Sequence, residues 1–131
     1  MKIEAKTYQG ETAEPEAKLP ASLLFVCTGN TCRSPMAAAL TEALLAQQAS
    51  YAHVVVQSAG LAAWPGDEMS AEAQEVLRTC YRIRGDMHRA QRITLEHVEA
   101  AEMILTMTQQ QALALRQAIQ NGQLPGHFDP W

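Results

Sequence analysis

An α/β fold is what this sequence predicts: a small doubly wound parallel sheet of three to four strands, flanked by helices. Three observations predict it. Short apolar runs of strand length recur at residues 22–26, 53–57 and 103–107. Between them lie longer stretches whose apolar residues return at helical spacing. The first run ends in a tight loop, Cys27-Thr28-Gly29-Asn30-Thr31-Cys32-Arg33-Ser34, followed by Pro35 and a helical pattern. With 131 residues the chain supports one core and one domain rather than two.

Residues 1–20 are polar, acidic and mixed in sign, which predicts a mobile tail and leaves residues 21–131 as the domain. Ser22-Leu23-Leu24-Phe25-Val26 is continuous apolar sequence, as a buried parallel strand requires. Ser34 is expected to cap the next helix, with Pro35 at its first position. Met36, Leu40, Ala43 and Leu44 then form the inward stripe. Residues 53–57 make the second strand, which Ser58-Ala59-Gly60 ends before a turn at Trp64-Pro65-Gly66-Asp67. Ser70 caps a second helix with Ala73, Val76, Leu77, Cys80 and Tyr81 on one face, placing Cys80 in the core. Thr94 opens a short helix to about Ala101, and residues 103–107 form the third strand. Thr108 and Gln111 make a capping box. The helix behind them stops at Asn121-Gly122. Strands alternating with helices imply parallel pairing, with ligands at the carboxyl ends of the strands.

Composition narrows the function. A net charge of −4 with no basic stripe argues against nucleic acid. No apolar run approaches the roughly 20 residues of a membrane span. The polar start, Met1-Lys2-Ile3-Glu4, lacks the apolar stretch of a secretory leader. Three cysteines do not make a disulfide framework, so a reducing, cytoplasmic setting is expected. His53, His88, His97 and His127 have no metal-ligand spacing, and no metal or other cofactor is expected. His88 is expected to make a structural hydrogen bond.

The loop carries the chemistry. Five residues between Cys27 and Arg33 let backbone N–H groups converge on one point. Gly29 supplies the conformational freedom for that curl. The following helix adds the positive end of its dipole. Arg33 offers two parallel charge-assisted bonds to phosphate oxygens. These donors also stabilise a thiolate at Cys27, to which Ser34 is placed to donate. A thiolate facing a bound phosphoryl group predicts covalent catalysis through phosphocysteine, followed by hydrolysis.

From Leu24 to Ala37 the sequence resembles the active-site loop of the low-molecular-weight protein tyrosine phosphatase family. The resemblance extends over residues 22–108, through Ser58-Ala59-Gly60, His88-Arg89-Ala90 and Ile104-Leu105-Thr106-Met107-Thr108. It implies Cys27 as nucleophile, Arg33 as phosphate clamp, Asn30 as keeper of the loop's shape and Ser34 as helper of the sulfur. Thr28, Gly29, Thr31 and Cys32 complete the substrate-binding loop. The family's general acid lies in an Asp-Pro-aromatic motif, matched by Asp129-Pro130-Trp131. Cys32 is either a redox partner of Cys27, as in the family, or a small filler. Trp64 either walls the substrate entrance or is an exposed turn aromatic.

Thr31 bears on the substrate. Tyrosine-directed members usually carry a larger aliphatic residue there, whereas members similar to bacterial protein-arginine phosphatases carry threonine. A small hydroxylated wall suits a guanidinium with many donors. The expected partners are therefore phosphorylated proteins, phosphoarginine ahead of phosphotyrosine, with inorganic phosphate as product. Two rivals remain: an arsenate reductase, for which only Cys80 lies outside the loop, and a non-catalytic phosphate-binding module. The family pattern also has a fourth strand before the Asp-Pro motif and a helix beyond it. No segment of the 131 residues matches either.

Overall fold

A computed structural model describes residues 20–125, so Asp129 and the tail expected at residues 1–20, apart from Pro20, lie outside the described residues. The element order is β1 (Ser22–Cys27), α1 (Arg33–Leu45), a 3-10 turn (Ala49–Tyr51), β2 (Val55–Gly60), α2 (Ala71–Tyr81), α3 (Leu95–Ala100), β3 (Met103–Thr106) and α4 (Gln109–Gln120). The sheet has the order β2-β1-β3 and is parallel throughout. Among the described residues it holds three strands. Ser22 pairs with Val55 at one end of β1, and Cys27 pairs with Gly60 at the other. This is the doubly wound architecture expected, with its central strand running straight into the candidate loop.

Being central, β1 sends alternate side chains to two helical layers. Leu24 and Val26 are buried with Ala59, Ile93, Val98 and Leu115, the layer of α3 and α4. The other layer gathers Met69, Ala73 and Leu77 against Met36, Ala39 and Leu40 of α1. Burying a Leu, Val or Ile side chain of this kind contributes about 2 kcal/mol. Leu24 and Val26 fix β1 to the first layer and α1 packs against it, so the loop hangs from the central strand of the sheet.

Helix starts follow local chemistry. Ser70 accepts from Ala73 N at 3.2 Å and caps α2. Thr94 and Thr108 each close a reciprocal capping box, with His97 and Gln111 as the returning side chains. In the case of α1 the expectation fails. Its cap position is Cys32, without a side-chain bond, and Ser34 lies within the first turn. The chain has already turned at Asn30, so the helix begins earlier and Ser34 is released for the site. Pro35 still falls in the first turn, where no intrahelical partner for its missing N–H is needed.

Other differences have equally local causes. The second strand starts at Val55, because Val54 N–H closes a turn onto Tyr51 O at 3.1 Å. Ser58-Ala59-Gly60 end it, as expected, but as its buried last three residues rather than as a stop beyond Gln57. Met107 falls just past β3. On α2 only Ala73 and Leu77 are buried, and Val76, Cys80 and Tyr81 are exposed. That helix meets its layer along one narrow stripe, which corrects the placing of Cys80 in the core. Leu44 of α1 is likewise exposed.

The end of α2 is held by Arg82 in the left-handed region at φ 57°, with Ile83 N–H bonded to Leu77 O at 2.9 Å. A β-carbon in that conformation costs about 1 kcal/mol. Arg82→Gly is therefore expected to raise stability by about that amount, measured by urea unfolding; a loss of stability would show that the arginine side chain matters there.

Candidate active site

Asn30 organises the loop. It is fully buried and left-handed at φ 55°. The conformational freedom assigned to Gly29 thus belongs to Asn30, a residue type that tolerates this region. Gly29 has ordinary backbone angles, and a β-carbon there would meet only Thr31 Oγ1 at 3.7 Å. Every polar group of Asn30 is used. Its Nδ2 donates to Ser34 Oγ and to Ser58 Oγ, both at 2.9 Å. Its Oδ1 accepts from Gln91 N at 2.9 Å. His88 Nε2–H donates to its carbonyl at 2.7 Å, the structural role expected of that histidine. Its own N–H donates to Cys27 Sγ at 3.2 Å.

Cys27 is buried at the end of β1, with Sγ 2.9 Å from Ser34 Oγ. Ser34 already accepts from Asn30 Nδ2, so its hydroxyl hydrogen is available to the sulfur. Cys27 Sγ therefore faces two donors, the Asn30 amide and the Ser34 hydroxyl. The loop is fastened from outside as well. Leu61 N–H bonds Cys27 O, Ala62 N–H bonds Thr28 O, and Ser70 N–H bonds Thr31 O. Gln111 Nε2 donates to Thr28 Oγ1 at 3.3 Å while its Oε1 takes the Met107 and Thr108 N–H groups. Gly60 is the close-approach glycine: a β-carbon there would lie 2.6 Å from Thr28 O.

Cys32 and Arg33 are exposed at the first turn of α1, and Thr31 is half-buried between them and Gly29. Among the described residues, no acceptor takes the N–H groups of Gly29, Thr31, Cys32 or Arg33. They lie at the positive end of a helix of 13 residues. Trp64 is 68% exposed on the loop that Leu61 and Ala62 dock against the site. The structure thus brings Cys27, Thr28, Gly29, Asn30, Thr31, Cys32, Arg33 and Ser34 into one loop, with Trp64 on its neighbour. Asp129 lies outside the described residues.

Sequence reasoning missed Gln91 and the site role of Ser58 and His97. Gln91 Nε2 donates to Ser58 O at 2.8 Å, and its Oε1 faces His97 Nε2 at 3.2 Å. His97 Nδ1 accepts from Thr94 N–H at 3.0 Å, which puts the ring proton on Nε2. Burial holds His97 below the ordinary imidazole value, and the Glu96 charge offsets only part of that.

A buried cysteine at the end of a central parallel strand, in a loop locked by a left-handed asparagine, defines a cysteine-centred α/β protein. The chain belongs to the low molecular weight phosphotyrosine protein phosphatase family, whose pattern matches residues 22–124. It is 44% identical over 92 residues to a protein-arginine-phosphatase of Geobacillus stearothermophilus, covering 69% of this chain and 56% of that one. It is 36% identical over 89 residues to the low molecular weight protein-tyrosine-phosphatase PtpB of Staphylococcus epidermidis, covering 66% and 56%. Among solved structures it resembles a cysteine-to-serine mutant of the YwlE arginine phosphatase with a phosphorylated active-site serine. That match has a TM-score of 0.68 and 36% identity over 79% of this chain and 64% of that one. The chain therefore spans little more than half the length of these curated relatives. No helix among the described residues is long and apolar enough to cross a membrane.

Two outcomes follow from the geometry. Asn30→Ala puts a strained residue at φ 55° and removes the acceptor of the half-buried Gln91 N–H and the donor to two buried serines, so a loss of about 3 kcal/mol is expected in urea unfolding. A loss below about 1 kcal/mol would contradict this account of the loop. The His97 shift predicts a pH effect. The unfolded chain takes up a proton near pH ~6.5 more readily than the folded one does, so stability drops as pH falls through that value towards the lower folded one. Replacing His97 by Gln keeps the capping acceptor and should flatten the fall in Tm between about pH 7 and 5.

Proposed function

We propose that this chain carries the catalytic centre of a cysteine-dependent protein phosphatase that works through phosphocysteine and prefers phosphoarginine. What carries the reading is the Cys27 sulfur, buried and accepting from Asn30 N–H and Ser34 Oγ at the base of an anion loop. The Cys27 thiolate forms an S–P bond as the P–N bond to the substrate guanidine breaks. Arg33 and the amides of the loop hold the phosphoryl oxygens and take up the developing charge. The leaving nitrogen takes a proton from Asp129, which then activates water. Water attacks phosphorus, the S–P bond breaks, inorganic phosphate leaves and the thiolate returns. Each half of the reaction needs neither metal nor nucleotide. A reactive thiolate of this kind suits a reducing, cytoplasmic setting.

The arginine preference rests on two supports. Thr31 stands on the rim of the loop, its carbonyl anchored by Ser70 N–H at 2.8 Å. Its small hydroxylated side chain leaves polar room where an aliphatic one would offer a wall for a flat ring. One relative, 44% identical, is a protein-arginine-phosphatase, and a solved YwlE arginine phosphatase, 36% identical, carries phosphate on the serine that replaces its cysteine. The tyrosine reading keeps a support of its own, the PtpB relative. Arsenate reduction would need thiols to pass oxidising equivalents outward from Cys27. Cys80, on the exposed side of α2, is the described candidate outside the loop.

Turnover of a phosphoarginine peptide and a phosphotyrosine peptide by the reduced protein separates these readings. Phosphoarginine is expected to be favoured by about tenfold or more in kcat/KM, with Thr31→Ile moving the ratio towards phosphotyrosine. Faster phosphotyrosine turnover that Thr31→Ile leaves unchanged would sink the arginine preference. No turnover of either peptide would leave a phosphate-binding module.

A further inference from the structure

We infer that His97 is a positioning residue for the nucleophile, acting through Gln91 on the Cys27 loop. This rests on the phosphatase reading above and adds to it two residues outside the loop. The line of contacts is continuous. His97 Nε2–H donates to Gln91 Oε1 at 3.2 Å, and Gln91 Nε2 donates to Ser58 O at 2.8 Å. With its side chain so held, the Gln91 backbone N–H meets Asn30 Oδ1 at 2.9 Å, and Gln91 O accepts from Gly60 N at 2.9 Å. All four polar groups of Gln91 are therefore engaged, three of them on residues that touch or frame the loop. From Asn30 the line reaches the sulfur by two routes, its own N–H and the Ser34 hydroxyl.

The geometry gives His97 two separate tasks. Its Nδ1 caps α3 by accepting from Thr94 N–H at 3.0 Å. Its Nε2–H orients Gln91. Capping needs an acceptor, whereas orienting Gln91 needs a donor. If only a donor were missing, the Gln91 amide would either face an acceptor with Oε1 or turn over and set Oε1 against the Ser58 carbonyl. Either outcome costs one part-buried hydrogen bond beside Asn30 and loosens the residue that fixes Cys27 Sγ. Substrate capture depends on Arg33 and the loop amides, so the effect falls on the chemical step.

Glu and Gln at position 97 separate the two tasks. Both present an acceptor to Thr94 N–H and preserve the capping box. Only Gln also presents a donor towards Gln91. His97→Gln is expected to keep wild-type kcat, while His97→Glu stays folded and keeps KM but lowers kcat about tenfold. Gln91→Ala should lower kcat to a similar degree. The same variants are compared for the rate of Cys27 alkylation by iodoacetamide, located by peptide fragmentation, which needs no turnover. His97→Glu and Gln91→Ala should change that rate, and His97→Gln should not. Equal kcat and equal alkylation rates in folded His97→Glu and His97→Gln would overturn the proposal. Should the wild-type protein turn over neither phosphopeptide, the phosphatase reading falls, and the alkylation comparison alone decides the positioning role. If Gln91→Ala fails to fold, the Glu and Gln pair at position 97 still gives the answer.

Discussion

The left-handed bend at Asn30 is the constraint on which the rest depends. An L-residue in that region costs about 1 kcal/mol, and the bend survives because all four hydrogen-bonding groups of one residue are satisfied at once, in five hydrogen bonds. The bend has direct consequences for chemistry. It turns one amide back onto the Cys27 sulfur and starts α1 early enough that Ser34 faces the same atom from inside the first turn. A loop without the bend would leave Ser34 as an ordinary cap and Cys27 with one donor fewer.

The sheet makes the bend affordable. Parallel pairing sets Cys27 beside Gly60, so the ends of β1 and β2 open on the same side. The absence of a side chain at Gly60 lets the two segments come within contact distance at Thr28 O. The segment after α2 then returns beneath them. His88 takes the Asn30 carbonyl and Gln91 takes its side-chain oxygen. Three stretches of chain thus converge on one amide side chain, and each is anchored in a different part of the core.

How far the sequence revealed this depended on the range of the interaction. Strands were legible because a buried parallel strand needs an unbroken apolar run, which Leu23 to Val26 supply. The caps at Ser70, Thr94 and Thr108 were legible because their chemistry spans three residues. The place of the loop was legible because Cys27 to Ser34 runs from an apolar strand into a helical pattern. Gly29 was credited with the bend because glycine is the usual occupant of left-handed backbone. The burial of Asn30, which lets its side chain compensate, arises only in three dimensions. Gln91 was illegible for the same reason. Its partner lies 61 residues away, and nothing in the local pattern distinguishes it from a surface glutamine. Cys80 was misjudged because helical spacing reveals a face but not how wide a strip of it the neighbouring layer covers.

The anchors of the cradle are unevenly distributed along the chain. Nearly all lie between Cys27 and His97, and α4 contributes a single touch, from Gln111 to Thr28. The part beyond residue 100 holds the strand rather than the loop: Thr106 pairs with Val26, Met107 N–H bonds Val26 O, and Leu115 packs with Leu24 and Val26. The cradle therefore has two kinds of support, one that fixes its shape through a buried asparagine and one that fixes the rod on which it is mounted. A change at Asn30 would alter the shape of the loop, whereas a change in β3 or α4 would move the loop as a whole.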